Sequence, residues 1–319
     1  MSPLVLERSR GILHATGRDP VKMVHDMLTA DVQGRPPDRS TYGLFLTAKG
    51  RVVADVRVIR DPAEAADDAD ALWIETDAAA LASLVEHLRK YVPPLFATFE
   101  DVTDAWAVVG VYGQGATEVA GRVVADLGGP EPLPADAPEE HTARFDGRFA
   151  LRTLLTGDDG WDLFVPAAER DRVVDLLLEA GGRPGDPEVL DALRIAAGRP
   201  RYGRELTGDV IPIEAGLTGR AIDTEKGCYT GQEVIVRILH RGHVNRHLRR
   251  LEFRGAAPAP GTELFEPGVD RARGVVTSVA ENDAGAIGLG YVRREVEPPA
   301  ELYVGAPAGE PVIITALDD

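Results

Sequence analysis

Apolar and polar positions follow two different periods along the first 200 residues. Residues 42–59 contain two runs rich in β-branched and aromatic residues, joined at Ala48-Lys49-Gly50. Glycine at such a junction favours a hairpin turn. Further on, Leu81, Leu84, Val85 and Leu88 recur at i, i+3, i+4 and i+7, which is one face of a helix. The pattern therefore predicts a mixture of strands and amphipathic helices.

The same alternation continues through the middle of the chain. Strands are predicted at 71–75, 99–111, 148–155 and 161–166, and further helices at 114–127, 167–180 and 187–198. The helix after residue 80 has a capping residue in Thr76 or Asp77, and a Pro- and acid-rich loop lies at 130–140. Residues 73–90 and 161–181 share an aromatic-led strand followed by a helix. This similarity indicates two related α+β halves, although chance resemblance of two strand–helix units is an open alternative.

Short alternating runs separated by Gly and Pro make up the end of the chain. They lie at 251–253, 274–279, 286–292, 301–304 and 312–316. Such spacing is typical of a small antiparallel barrel or sandwich.

Composition limits the classes of function. The chain has 319 residues, a net charge of −17, and a composition that is 44% hydrophobic. This acidity argues against direct nucleic-acid binding, because phosphate contacts need a basic surface. No apolar run is long enough to span a membrane, and residues 1–10 do not read as a signal peptide. One cysteine cannot form an internal disulfide, so we expect a cytoplasmic protein.

The octapeptide Lys-Gly-Cys-Tyr-Thr-Gly-Gln-Glu at 226–233 holds the sole cysteine, Cys228, and Lys226, one of only four lysines. A helix is predicted over 231–240, with its N-terminus inside the motif. A helix N-terminus and a neighbouring cation both stabilise a thiolate. The local sequence thus allows a reactive or ligating Cys228, while a buried structural cysteine is the alternative.

The segment after the octapeptide is basic in an acidic chain. It contains Arg237, Arg241, Arg246, Arg249 and Arg250, interleaved with three of the seven histidines: His240, His243 and His247. An anion-binding surface, a solvated basic face and a metal site on the histidines are all compatible with this pattern. The metal site is the weakest alternative, because no carboxylate lies among the histidines and Cys228 has no partner cysteine.

At the octapeptide the chain resembles the YgfZ-type folate-binding proteins, relatives of the glycine cleavage T-protein and of a mitochondrial iron–sulfur assembly factor. Weaker similarity extends to the hairpin around Tyr42 and Asp55, to residues 192–203 and 211–214, and to the glycine-containing runs near 274 and 288. The matches occur in the family's order along nearly the whole chain.

This resemblance implies an α+β fold of two intertwined ferredoxin-like subdomains at 1–246, followed by a β-barrel at 247–319. It implies tetrahydrofolate as ligand and a role in assembly or repair of iron–sulfur client proteins, which indirectly supports tRNA modification. Under it, Cys228 and Lys226 are the working residues. The predicted folate contacts are Tyr42, Arg194, Glu214, Tyr229, Gly231, Gln232, Glu233 and Arg237.

Some residues depart from the T-protein. The T-protein uses an Asp near a helix start to act on the folate amine. The corresponding turn here contains Asp77, which we interpret as a helix cap and not as a catalytic residue. The T-protein also has an acidic residue where this chain has Ala196. The T-protein also lacks the cysteine motif. These differences favour the accessory-protein branch and leave no catalytic Asp identified. The alternative is a folate-dependent aminomethyl or methyl transferase of the T-protein type.

Overall fold

The computed structural model of the chain describes residues 2–61, 70–130, 132–282 and 285–317. The chain divides into two compact units, neither of which is one continuous segment. Unit 1 comprises Met1–Leu46, Val53–Pro187 and Ala221–Thr230, and unit 2 comprises Thr47–Val52, Glu188–Arg220 and Gly231–Asp319. The octapeptide therefore contributes its first five residues to unit 1 and its last three to unit 2.

The described residues of unit 1 form two sheets and four α-helices. The strands are β1 (Leu4–Arg8), β2 (Arg10–Thr16), β3 (Thr41–Leu46), β4 (Val52–Asp61), β5 (Ala71–Asp77), β6 (Thr98–Asp101), β7 (Trp106–Tyr112), β8 (Thr142–Phe145), β9 (Arg148–Arg152), β10 (Gly160–Pro166) and β11 (Arg183–Pro184). The helices are α1 (Pro20–His25), α2 (Leu81–Tyr91), α3 (Ala116–Asp126) and α4 (Arg170–Glu179). Short 3-10 helices cover Ala78–Ala80, Thr103–Ala105 and Ala167–Glu169.

The first two strands of the chain belong to different sheets. One has the order β11-β1-β7-β10-β9-β8 and the other β3-β4-β5-β2-β6. Strands β1 and β2 are separated by a single residue yet belong to different sheets, where they pair antiparallel with β7 and β5. The halves of unit 1 are therefore intertwined, as the fold-class prediction requires.

Two apolar layers hold unit 1 together. Val111, Ala120 and Leu177 belong to a cluster that packs α3 and α4 against the six-stranded sheet. A second cluster contains Ile12 and Ile59 of the five-stranded sheet together with Phe164 of the six-stranded sheet. The two sheets therefore pack on each other. Each fully buried aliphatic or aromatic side chain stabilises such a layer by about 1.5–3 kcal/mol.

A buried charged cluster, which we call the inter-sheet ion cluster, crosses the same layer. Arg57 of β4 donates from Nε to Glu140 at 3.1 Å, from Nη1 to Asp162 of β10 at 3.2 Å, and from Nη2 to Thr153 at 2.8 Å. Asp162 also pairs with Arg8 Nη1 at 3.1 Å. Because these charges are removed from water, each needs its partner to remain ionised.

The pKa of Asp162 depends on two opposing effects, burial and the charges of neighbouring arginines. Burial alone raises the pKa of this carboxyl. The positive charges of Arg8 and Arg57, with a hydrogen bond from the Tyr112 hydroxyl, outweigh burial and hold the pKa below its ordinary value. Asp162 is therefore an anion in the folded protein.

Unit 2 contains a closed barrel and the remaining helices. The barrel strands are β12 (Arg246–Phe253), β13 (Glu263–Phe265), β14 (Ala272–Asn282), β15 (Gly285–Arg293), β16 (Ala300–Val304) and β17 (Pro311–Thr315), in the order β12-β15-β14-β13-β16-β17. Its core includes Leu251, Val276 and Ile314. The helices are α5 (Pro187–Ala196), α6 (Thr218–Ala221) and α7 (Gln232–Arg241), α6 ending at the first residue of a unit 1 segment.

The predicted α+β class and C-terminal barrel are confirmed. The helices predicted from apolar periodicity are found as α2, α3, α4, α5 and α7. Asp77 caps the turn before α2, since its Oδ1 accepts from Ala79 N at 3.0 Å. The hairpin turn contains Gly50 at φ 70°, a left-handed conformation that favours glycine. The sequence patterns missed β1, β2, β8, β11 and β13, which lack a clear alternating run or are very short.

Described residues between 130 and 140 contain no helix or strand, as predicted, but this loop is not only a surface connection. Leu133 is buried, and Glu140 joins the inter-sheet ion cluster. The repeat noted in the sequence has a structural counterpart. Strand β5 and strand β10 are each followed by a three-residue 3-10 helix and then by α2 or α4.

We expect Asp162→Asn to destabilise the protein by about 3–5 kcal/mol at neutral pH, because Arg8 and Arg57 lose their buried counter-charge. The loss should shrink as the pH falls. A carboxyl whose folded pKa is depressed stabilises the fold above its unfolded pKa, and this contribution disappears as the pH falls through the folded value. Urea unfolding at a series of pH values measures both effects.

The matched control is Asp175→Asn on the exposed side of α4, which should change stability by no more than about 0.5 kcal/mol. Equal stabilities of the two variants at neutral pH would contradict the role given to Asp162.

Candidate functional site

Asp55 and Tyr42 form the polar pair of greatest chemical interest in unit 1. They lie on the adjacent strands β4 and β3, and the Tyr42 hydroxyl donates to Asp55 Oδ2 at 3.1 Å. Thr76 of β5 donates to the Asp55 carbonyl at 2.8 Å, which holds the backbone of the same residue. The side chain of Asp55 is therefore fixed from β3 and its backbone from β5, the two strands that flank β4.

The second carboxyl oxygen of Asp55 is left over. Oδ1 is shielded from solvent and has no hydrogen-bond partner among the described residues. An unsatisfied buried acceptor costs free energy, so such an atom is expected to meet a ligand, an ion or an ordered water, or to have a functional role. Asp55 thus presents one occupied and one available oxygen.

The surroundings of Asp55 raise its pKa. Burial is the largest cause, and the negative charges of Glu75 and Asp77 act in the same direction. The positive charge of Arg10 and the Tyr42 hydrogen bond oppose the rise without cancelling it. Arg10 is itself held by an ion pair to Glu75 and lies 3.8 Å from Asp77. A carboxyl with a raised pKa is suited to accept and return a proton near neutral pH.

Sequence reasoning missed Asp55 as a site residue, although it placed Tyr42 in the site and Asp55 in the hairpin. The available signal was a carboxylate in the apolar first half of a predicted strand, five residues after the hairpin turn at Gly50. The search for a catalytic Asp considered Asp77 instead. In the structure Asp77 caps a helical turn and lies beside Arg10.

Lys226 is held by backbone carbonyls. Its Nζ donates to the carbonyl oxygens of His25 and of Leu28, the latter at 2.6 Å, and lies 3.4 Å from that of Ala30. It also lies 5.4 Å from the ring centroid of Tyr229. The His25 carbonyl is one of those that the end of α1 leaves unpaired, and Leu28 and Ala30 follow the helix. Lys226 therefore anchors the start of the octapeptide to the end of α1.

Burial lowers the pKa of Lys226 to about 8, against the opposing charges of Asp31, Asp26 and Asp223. Burial likewise raises the pKa of Tyr229 to about 12. Tyr229 is thus a neutral, buried ring packed beside an amine whose pKa is lowered by burial. The direct partners of Lys226 Nζ are backbone carbonyls, so the proposed effect of Lys226 on the thiol stays a prediction.

Cys228 is an exposed free thiol. The alternative of a buried structural cysteine is therefore not what the structure shows. Gly231, at φ 84°, precedes helix α7, which begins at Gln232. Only glycine takes this left-handed conformation at low cost, so Gly231 has a backbone role. The side chains of Glu233 and Arg237 on α7 are exposed and that of Gln232 is half-buried.

Arg194 is engaged inside unit 2. Its five N–H groups reach Asp191 twice, at 2.7 and 3.3 Å, and Glu205, Ser278 and the Arg199 carbonyl at 2.8, 2.7 and 3.3 Å. At 3% exposure it has no donor left for a ligand. The predicted folate contact would require Arg194 to give up one of these bonds.

Glu214 is also held within unit 2. Its Oε2 accepts from Ile211 N at 3.1 Å and lies 3.3 Å from Arg246 and 3.9 Å from Arg51. Arg246 in turn stacks over Tyr291, with its guanidinium carbon 4.5 Å from the ring centroid. Glu214 is therefore an ion-pair partner of two arginines.

The basic segment after the octapeptide does not form one strip. Arg237 and Arg241 lie on α7, whereas Arg246, Arg249 and Arg250 lie on β12. Arg250 donates to the Ala196 carbonyl. Across the part of the chain that the structure describes, no group of three His, Cys, Asp or Glu side chains is arranged to hold a metal ion. No helix in that part is long and apolar enough to cross a membrane.

Comparison with known proteins identifies the family. A family model described as the GCVT N-terminal domain matches residues 9–226. The aminomethyltransferase of Rubrobacter xylanophilus is 30% identical over 297 residues, which cover 90% of this chain and 75% of that protein. A putative chloroplastic transferase of Arabidopsis thaliana is 25% identical over 291 residues, or 89% of this chain and 64% of that protein.

A solved structure has the same fold. The glycine cleavage system aminomethyltransferase T of Bartonella henselae superposes with a TM-score of 0.84 at 19% identity, covering 99% of this chain and 86% of that one. The family match includes Tyr42 and Asp55 and ends at Lys226, two residues before Cys228. Because the match spans more than half of the sequence, the chain belongs to the family defined by the GCVT N-terminal domain.

Proposed function

We propose that this protein binds tetrahydrofolate and transfers a one-carbon group between the folate and an amine donor, with Asp55 as its proton-handling residue. The observation that carries the proposal is the available Oδ1 of Asp55, in a carboxyl whose pKa is raised by burial. Membership of a family that includes aminomethyltransferases supports the same class of reaction.

The residues present fit a folate. Tetrahydrofolate has N–H groups on its ring system, and a shielded carboxylate oxygen without a partner is an acceptor suited to one of them. When bound, the folate supplies the nitrogen atoms that carry the one-carbon group. Tyr42 is buried beside Asp55, as expected for a residue that forms the wall of such a site.

Each group then has a defined task. Asp55 takes a proton at Oδ1 and returns it, while Oδ2 stays on the Tyr42 hydroxyl and keeps the carboxyl in one orientation. Arg10, fixed by Glu75, opposes the rise of the Asp55 pKa and so favours the carboxylate form that accepts the proton. Asp55 is the catalytic residue, and Tyr42 and Arg10 position and tune it.

The YgfZ-type function is the second candidate. In it the protein binds folate and assists iron–sulfur client proteins, with Cys228 as the working thiol. The observation that favours it is the exposure of Cys228 beside an anchored backbone. Cys228 lies beyond the segment matched by the family model, so membership of the family supports Asp55 more directly.

The remaining predicted folate contacts have different support. Tyr229 is a buried ring next to Lys226, while Gln232, Glu233 and Arg237 are presented by helix α7. Of the residues proposed from the sequence, Tyr42 has the strongest support, because it binds the carboxyl with the available oxygen. The cytoplasm is the compartment proposed for both functions, following the single unpaired cysteine.

We expect Asp55→Asn to lower the rate of methylenetetrahydrofolate formation from an aminomethyl donor by about 10²–10⁴-fold, because the amide cannot accept the proton. Folate binding, followed by fluorescence titration, should be retained at least in part. The control Asp104→Asn alters an exposed carboxylate of unit 1 and should leave the rate unchanged. An Asp55→Asn variant as active as the wild type would refute the catalytic role.

Tyr42→Phe should move the acidic limb of the pH–rate profile to higher pH. The base works when deprotonated, and the Tyr42 hydrogen bond lowers the Asp55 pKa, so its loss raises that pKa further. The rate at high pH should be reduced less than the rate at low pH. A uniform decrease at every pH would mean that Tyr42 acts only through packing.

Cys228→Ala distinguishes the two candidates. Because Cys228 is exposed, its replacement should change stability by no more than about 0.5 kcal/mol. Under the leading proposal the variant keeps its one-carbon transfer rate. Loss of support for an iron–sulfur methylthiotransferase in a host lacking the wild-type gene would instead favour the thiol function, and full support would rule it out.

Lys226→Met should lower the stability by about 1–3 kcal/mol, because the carbonyls of His25 and Leu28 lose a donor. The transfer rate of the folded fraction should be unchanged. Urea unfolding and a rate normalised to folded protein measure the two effects. A lower normalised rate at unchanged stability would show that Lys226 acts in catalysis.

A further inference from the structure

Unit 2 contains a cavity of about 470 Å³ whose charged lining is mainly arginine. Its charged residues are Arg51, Arg246, Arg273, Arg293, Asp209 and Glu214. The hairpin turn, β12, β14 and β15 each contribute, so residues from distant parts of the sequence meet there. None of these residues belongs to the Tyr42–Asp55 pair.

The lining of the cavity has more positive than negative side chains, whereas the chain as a whole is negatively charged. Four guanidinium groups face two carboxylates in the cavity, whereas the whole protein has a net charge of −17. A local excess of positive charge in an acidic protein attracts anions to that place and not to the surface in general.

Two of the arginines are held in place by the protein. Arg51 and Arg246 both donate to the carbonyl oxygen of Asp209, and both lie within 4 Å of Glu214 Oε2. The stacking of Arg246 on buried Tyr291 fixes the plane of its guanidinium. These contacts position both guanidinium groups without a ligand.

The other two arginines keep unused donors. Arg273 uses Nε and Nη2 for Glu266, both at 2.9 Å, and its Nη1 has no partner within the described chain. The side chain of Arg293, which is half-buried, makes no hydrogen bond or ion pair within 4 Å among the residues described, and the nearby carboxylate of Glu295 acts on it only at longer range. Guanidinium groups bind phosphate and carboxylate through paired N–H donors.

We propose that this cavity is a binding site for a small organic anion with two negative charges, carried by one phosphate group or by two carboxylates. Its volume is that of a site for an organic molecule rather than for a lone ion. Ala272, Gly274 and Val275 provide an apolar edge for the uncharged part of such a molecule. Arg273 and Arg293 contact the anionic groups, and Arg51 and Arg246 supply the fixed positive wall.

The site goes beyond the proposed folate chemistry, and it changes the meaning of the basic segment. Of the five arginines between 237 and 250, Arg246 is the one that lines this cavity, and its companions come from elsewhere in the chain. Anion binding was one of the interpretations left open for the basic segment, and the proposal assigns it to a different set of arginines.

Isothermal titration of the full-length protein with inorganic phosphate and, separately, with glutarate tests the proposal at low and high salt. We expect binding of at least one probe, weakened by added salt. Arg293→Gln and Arg273→Gln should each weaken that binding by about tenfold or more, because a charged donor pair is lost. Binding of phosphate alone identifies a phosphate-bearing ligand, and binding of glutarate alone a dicarboxylate.

Arg254→Gln is the matched control, since Arg254 is exposed in the same unit and does not line the cavity. It should bind each probe as tightly as the wild type. Thermal unfolding of every variant checks that the fold is intact, and two arginine variants guard against the loss of one to misfolding. The proposal is overturned if neither probe binds, or if folded Arg293→Gln and Arg273→Gln bind like the control.

Discussion

The buried ion pair between Arg57 and Asp162 is the constraint on which unit 1 depends. A charge between two packed sheets is tolerated only with an opposite charge at hydrogen-bond distance, and Asp162 meets both Arg57 and Arg8 there. This requirement sets the position of β4 against β10. Asp55 lies two residues before Arg57 on β4, so the same pairing helps to place the candidate catalytic carboxyl. Strand β4 thus carries both the arginine of the buried ion pair and the proposed catalytic carboxyl.

The two carboxylates differ because their neighbours differ. Asp162 is surrounded by arginines and a tyrosine hydroxyl, which keep its pKa low despite burial. Asp55 has one tyrosine and a more distant arginine, with two further carboxylates nearby, so burial raises its pKa. The first is therefore an anion at neutral pH with a structural role. The second can exchange a proton, and it is the one with a shielded oxygen left without a partner.

The residues of the octapeptide differ in burial and belong to two structural units, which its sequence does not indicate. Lys226 and Tyr229 pack into unit 1, Cys228 is exposed, and the residues from Gly231 onward belong to unit 2. The arginines differ in the same way: every side-chain N–H donor of Arg194 is used in contacts within the protein, while the side-chain N–H donors of Arg293 are unused. Identical side chains are structural in one place and available for binding in another, according to the acceptors that surround them.

The sequence by itself determined the α+β class, five of the helices, the hairpin and the C-terminal barrel, because apolar periodicity and turn residues are local signals. It also singled out the cysteine motif, and the family resemblance proposed Tyr42 as a site residue, whereas the exposure of Cys228 came from the structure. Only the tertiary structure decided which polar residues meet. Arg57 and Asp162 are 105 residues apart, and Arg51 joins Arg246 and Arg293 across most of the chain. Neither the free oxygen of Asp55 nor the arginine cavity has a local signature, because each depends on which partners are present or missing in three dimensions.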